Sequence, residues 1–339
     1  MFYALSLRAR VLTRERVPTM WNAITDVPGV LVGQVSDLEA ITGCTVLVFP
    51  EGAVGGVDLR GSATGTREID TLSALHVAPR IHAITLAGGS AYGLEAASGV
   101  MQALEEQGIG FPTRAARVPL VPAAILFDLS IGSATRRPDA AMGYAACRSA
   151  TATAVEEGNA GAGTGATVGK LFGMSNAMKG GVGTASLCLD GTVWIGALVA
   201  CNAFGDVVDV VTGRLLAGTR WAPDSSELAD TAAQIRQGKT PRALEGTNTT
   251  LGVVATNAQL TKPQAQKLAQ LAQHGLVRGL SPAHTLFDGD TVFAVSTGTA
   301  TADLTRLGIV AADLLALCLD RAVRAARSLD GVPGLGDTA

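Results

Sequence analysis

Glu245-Gly246-Thr247-Asn248-Thr249-Thr250 runs directly into LGVVATN, residues 251–257. The first part is polar and turn-prone; the second is apolar and rich in residues that favour strands. The junction predicts an exposed segment that enters a buried strand at Thr249. Upstream, residues 214–248 are polar and carry Pro223, Asp224, Ser225, Ser226, Gly238 and Pro241, which makes them the one credible internal boundary.

Working outward, 193–201 (VWIGALVAC) reads as a buried strand ending at Asn202, and 158–170 (GNAGAGTGATVGK) as a glycine-rich loop. Downstream, 261–279 is a helix opened by Thr261 with Pro263 in its first turn. Asp288-Gly289-Asp290 then leads into a strand at 291–296, and 303–328 is a long amphipathic helix. Nearer the start, 44–49 (CTVLVF) is a short strand bounded by Gly43 and Pro50, and 81–86 is another. The latter passes through Ala87-Gly88-Gly89-Ser90 into a helix over 91–107, whose Leu94, Ala97, Met101 and Leu104 share a face. Strands and helices alternate irregularly in both halves, which predicts a layered α/β sandwich.

Composition fits a large core. Of the 339 residues, 47% are hydrophobic and 16% charged, so disorder is excluded. The 41 glycines beside only 4% aromatics point to layers whose backbones approach closely. Net charge is −3 with no long basic run, which argues against nucleic acid. Five scattered cysteines without CxxC spacing read as buried thiols of a reducing compartment. No signal-peptide pattern or membrane-length apolar run occurs, so a cytoplasmic location is expected, with residues 1–19 a loose extension.

Three lookalikes fail. Gly165-Ala166-Thr167-Val168-Gly169-Lys170-Leu171 lacks the distant glycine of a phosphate loop, and has Leu171 where magnesium needs a hydroxyl. The turn at 87–93 matches neither GxGxxG nor GxSxG. His76, His82, His274 and His284 show no metal-ligand spacing, so no metal or cofactor is expected.

A hydrolase without a histidine triad or a metal needs another base. A chain that cuts itself before a Thr, Ser or Cys supplies one, because the freed α-amine has a pKa of about 8. Thr249, leading a buried strand after an exposed turn-prone segment, has the right placement. On spacing alone the plainer alternative, a polar loop entering a strand, is the commoner one.

Four segments stand in order along the chain: LAGGSAYGLEAASGV (86–100), GAGTGATVGK (161–170), NTTLGVVATNA (248–258) and HTLFDGDTVFAVST (284–297). In these, and from Thr25-Asp26-Val27-Pro28-Gly29-Val30 to the C-terminal helix, the chain resembles the DmpA-type self-processing aminopeptidases. Within that family it looks like the relatives that hydrolyse nylon (6-aminohexanoate) oligomers. The resemblance implies an N-terminal-nucleophile-like four-layer αββα sandwich and cleavage between Asn248 and Thr249. Residues 20–248 and 249–339 would then be two parts of a single catalytic domain that stay together, within a homo-oligomer, a tetramer of processed units. The implied substrates are small peptides, aminoacyl amides or 6-aminohexanoate oligomers, attacked through an acyl-Thr249 intermediate.

By position, Thr249 matches the nucleophile and Lys170 a lysine close to it. Asn202 matches the donor to the oxyanion, and Asp288 with Asp290 an acidic pair that orients the lysine and the new amino terminus. The ordinary readings of these residues are a surface lysine, an asparagine closing a strand and a DGD turn. One departure stands out: in Leu126-Phe127-Asp128, Phe127 occupies the place of a family tyrosine near the scissile carbonyl, so a hydroxyl is missing where substrate binds. Two rival readings remain. One is acyl transfer of the ornithine acetyltransferase type, whose junction is typically Ala-Thr-Met-Leu. The other is a binding scaffold that never cuts itself.

Overall fold

The computed structural model describes residues 20–240 and 248–337. Residues 1–19, and the segment 241–247 that includes Glu245, Gly246 and Thr247, lie outside the described residues.

Nine strands build the framework: β1 (Leu31–Asp37), β2 (Thr42–Leu59), β3 (Thr66–Arg67), β4 (Ile81–Ala87), β5 (Ala123–Ile125), β6 (Gly181–Leu189), β7 (Val193–Asn202), β8 (Thr249–Ala258) and β9 (Thr291–Ala300). The helices are α1 (Ala96–Glu106), α2 (Ala140–Arg148), α3 (Thr231–Arg236), α4 (Lys262–Gly279) and α5 (Leu304–Ala325). The long strand β2 joins two sheets. Its first half pairs antiparallel with β1 and with β4, and its second half pairs antiparallel with β9. The register with β4 breaks between Val48 and Ala53, around Pro50 and Gly52, the latter with φ +70°. The strand expected to stop at Pro50 therefore runs on to Leu59, eighteen residues in all. A proline has no N–H to give, and it sits where the ladder is interrupted.

One sheet has the order β1-β2-β4-β5-β3 and the other β6-β7-β8-β9-β2. Three apolar clusters define the layering. Leu47, Ile84 and Leu86 from the first sheet meet Leu198, Val253 and Phe293 from the second. On the first sheet's other face, Val46, Val48 and Ala83 pack under Val100 and Leu104 of α1 and Ala146 of α2. On the second sheet's other face, Val254, Val292 and Ala294 pack against Leu268 and Leu276 of α4 and Leu315 and Leu319 of α5. The molecule is thus a four-layer αββα sandwich. Successive side chains of a strand point to opposite faces, so Val253 and Val254 are buried in different layers. That is why 251–257 reads as a continuous apolar run and not as an alternation.

The helices begin where short polar side chains cap them. Thr261 forms a capping box with Gln264 ahead of α4, and Asp303 accepts from the Arg306 amide ahead of α5. The helix expected over 91–107 opens as a tighter 3-10 segment, Ser90–Glu95, before becoming α1. The polar stretch from residue 214 is bonded to the rest of the structure. The buried carboxylate of Asp206 accepts from the Thr219 amide at 2.8 Å, and from the Thr231 amide and hydroxyl at 2.6 and 2.7 Å, tying residues 215–236 to the body. Among the described residues no helix is long and apolar enough to cross a membrane.

Candidate active site

Thr249 is the first residue of β8, buried, and directly opposite Asn202, the last residue of β7. Opposed residues of an antiparallel pair project to the same face, so the pairing sets the two side chains on one side of the sheet. On the other flank Asn248 bridges Asp288, and the Gly289 amide donates to the Asn248 carbonyl at 2.8 Å. The Thr249 hydroxyl donates to that same carbonyl oxygen at 2.5 Å. The carbonyl preceding Thr249 thus receives two donors.

The turn 288–290 is clamped from behind. The amides of Arg60 and Gly61 donate to the Asp290 carbonyl at 3.0 and 3.1 Å, and that of Ala63 to the Asp288 carbonyl at 2.9 Å. Gly289 is sterically required here: a Cβ would lie 2.6 Å from the Ala63 carbonyl oxygen and 2.7 Å from Thr249 Oγ1. The buried carboxylate of Asp288 accepts from the Phe204 amide at 3.0 Å and from the Thr285 amide and hydroxyl at 3.1 and 2.5 Å. Burial, and then the negative charge of Asp290, push it up to about 6. Asp290 accepts from the Thr250 amide at 2.7 Å through Oδ1.

The glycine-rich loop delivers Lys170. Gly169, at φ +72°, and Lys170 donate their amides to the carbonyls of Gly205 and Phe204, just past Asn202. A Cβ on Gly169 would lie 1.9 Å from the backbone at Gly218 and Thr219, so the approach needs glycine. Lys170 Nζ then donates to Asn202 Oδ1 at 2.8 Å and to its carbonyl at 3.2 Å. Burial brings the lysine down to about 7, against the opposing pull of Asp288. Asn202 Oδ1 also accepts from the Thr167 amide at 3.0 Å, which fixes the orientation of the amide. Asn202 Nδ2 accordingly donates to the Phe127 carbonyl at 3.0 Å. Thr249, Asn202, Asn248, Asp288, Asp290 and Lys170 are therefore gathered in one place. Phe127 reaches it through its backbone. Lys170 and the two carboxylates make no ion pair: the lysine is bound by Asn202 and the Asp288 oxygens by Phe204 and Thr285, with Asp288 close enough for its charge to favour that of the lysine.

Residues 22–334 match the family model for peptidase family S58. The chain belongs to peptidase family S58. Its chemistry is accordingly that of peptide- or amide-bond hydrolysis. An uncharacterized aminopeptidase of Mycobacterium leprae is 43% identical over 92% of each chain. A 6-aminohexanoate-oligomer endohydrolase of Paenarthrobacter ureafaciens is 35% identical over 86% of this chain and 82% of that one. Among solved structures, an L-aminopeptidase D-Ala-esterase/amidase from Ochrobactrum anthropi, described as a variant of the Ntn hydrolase fold, superposes with TM-score 0.68 at 20% identity, covering 94% of this chain and 90% of that one. A protein from Pyrococcus horikoshii superposes with TM-score 0.69 at 22% identity, covering 98% and 94%. These two likenesses show the shared fold.

The S58 chain carries further site residues that its sequence did not announce. Asp128, beside Phe127, is buried, accepts from the Thr42 hydroxyl and the Gly89 amide at 2.7 Å each, and is raised by burial. Lys179 is also buried; its Nζ donates to the Thr164 carbonyl at 2.8 Å, and burial brings it down to about 7 against the pull of Asp128. His284, set aside above for want of metal spacing, has Nδ1 2.9 Å from Asp290 Oδ2. The one sequence cue to it was its place in the 284–297 segment. Among the described residues of this S58 protein, no three potential metal ligands cluster.

Proposed function

We propose that this S58 protein cuts itself between Asn248 and Thr249, and then hydrolyses small peptides, aminoacyl amides or 6-aminohexanoate oligomers through an acyl-Thr249 intermediate. One observation carries the reading: the Thr249 hydroxyl lies 2.5 Å from the oxygen of its own preceding carbonyl, and the Gly289 amide holds that oxygen from another side at 2.8 Å. The bond that would break is already polarised beside the group that would attack it.

In self-cleavage, Thr249 Oγ bonds to the Asn248 carbonyl carbon and its proton passes to the Thr249 nitrogen. The C–N bond then breaks, leaving an ester that water opens to an Asn248 carboxylate and a free Thr249 amine. With substrate, the α-amine takes the hydroxyl proton, Oγ attacks the amide carbon, and the proton leaves with the departing amine. Water hydrolyses the acyl-threonine. Asn202 is the side-chain donor to the second oxyanion, a role that requires Nδ2 to exchange the Phe127 carbonyl for substrate oxygen. Because β8 lies between β7 and β9, strands from both sides of the cut share one sheet, which holds the two fragments together. The aminohexanoate class is taken from sequence likeness to the nylon-oligomer relative.

Intact-mass measurement should find two chains in the wild type, the second beginning at Thr249, and one full-length, folded, inactive chain in Thr249→Ala. Efficient cleavage at the same bond in Thr249→Ala would overturn the reading. A panel of aminoacyl amides and 6-aminohexanoate oligomers on the processed enzyme then assigns the substrate class.

A further inference from the structure

Asp290 is held by more than its turn. His284 donates its backbone amide to Asp290 Oδ2 at 3.0 Å, and its ring nitrogen Nδ1 lies 2.9 Å from the same oxygen. The backbone at His284 is left-handed, with φ +54°. That conformation is uncommon outside glycine, though histidine and asparagine are enriched in it, and it recurs where a site is held in a set shape. Facing a carboxylate, which only accepts, Nδ1 is the nitrogen placed to donate; among the described residues Nε2 is buried without a hydrogen-bond partner.

The other oxygen of Asp290 explains what this grip is for. The parallel ladder between β8 and β9 begins only at Leu251, opposite Thr291. One residue earlier β9 has not started, and Asp290 Oδ1 takes the Thr250 amide in place of a strand partner. The peptide that follows Thr249 is thus fixed by a side chain, and that side chain by His284.

We propose that His284 is a positioning residue: its Nδ1–H locks Asp290 so that Oδ1 fixes the Thr250 amide, and with it the reactive end of β8. This deepens the reading of Thr249 as nucleophile and rests on it. The imidazole moves no proton to or from the reacting atoms; it acts through Asp290.

Two substitutions separate the donor from the ring. Asparagine tolerates the left-handed backbone and offers an N–H near the place of Nδ1, whereas glycine tolerates the backbone and offers nothing. His284→Gly should slow self-cleavage and lower kcat of the processed enzyme about tenfold or more, with KM changed by less than about threefold, as loss of orientation does. His284→Asn should recover both to within about threefold of wild type by restoring the donor. Wild-type rates in His284→Gly would overturn the proposal, and so would His284→Asn as slow as His284→Gly, since that would require proton transfer by the ring. A second measurement does not depend on cleavage. In the uncut Thr249→Ala chain, nitrogen NMR of the imidazole at pH 8 should show hydrogen on Nδ1 and a bare Nε2; the opposite tautomer would sink the assignment even if every variant failed to fold. Absence of cleavage in the wild type would instead remove the nucleophile reading, leaving the NMR result to decide the His284–Asp290 contact alone.

Discussion

Lys170 is bound to Asn202, and neither acidic residue of the turn pairs with it directly. In the proposed mechanism its influence on a Thr249 amine would be one of charge. Burial brings Lys170 down to about 7, so it is charged below that pH and largely neutral above it. The two groups disfavour being charged together, so a proton held by the lysine keeps one off the amine, and removing the lysine lets the amine hold its proton to higher pH. In processed Lys170→Met the acidic limb of the rate profile on one amide substrate, followed from pH 5 to 10, should move to higher pH. An unchanged profile with near-normal rate would mean that Lys170 takes no part. At this scale short motifs drew attention to Thr249, Lys170, Asn202, Asp288 and Asp290, residues that the fold sets side by side. The Gly289 amide and the His284 ring were not singled out. Their contribution depends on a turn clamped by residues 60–63 and on a left-handed backbone, neither of which a residue type declares.

The elements were legible where a cap or an apolar run marked them, as at Thr261, Asp303 and residues 249–258. They were misjudged where tertiary pairing overrode a local signal: β2 passes Pro50 because one half of it serves each sheet. The many glycines pointed correctly to close approach. On Gly183 of β6 a Cβ would lie 2.0 Å from the Cys318 carbonyl oxygen and 2.7 Å from the Ala322 amide, so α5 rests on bare strand backbone. Gly183→Ala should force the helix outward and destabilise the chain by about 1–3 kcal/mol, the usual cost of overpacking. Urea unfolding in the uncut Thr249→Ala background should show a lower midpoint at constant slope. An unchanged midpoint would mean that α5 can lift without loss.

For the whole molecule, the layer order follows from which faces are apolar, but the placement of charge inside it does not follow from a composition of 16% charged residues. The structure puts Lys179, like Lys170, deep enough for burial to bring it down to about 7. Lys179 is 1% exposed, with Asp128 as the neighbour that favours its charge. The unfolded chain holds the proton up to a pKa of about 10.4. Between about 7 and 10 the unfolded state therefore binds more protons than the folded one, and this group's contribution to stability rises with pH. Lys179→Met removes the titration and keeps most of the volume. Measured by urea unfolding of uncut Thr249→Ala chains at pH 7, 8.5 and 10, the stability of the parent minus that of the variant should increase steadily. The total change should be on the order of a few kcal/mol, given a shift of this size. A difference that stays flat or falls across this range would mean that Lys179 keeps its proton in the folded core, with the charge of Asp128 outweighing the cost of burial.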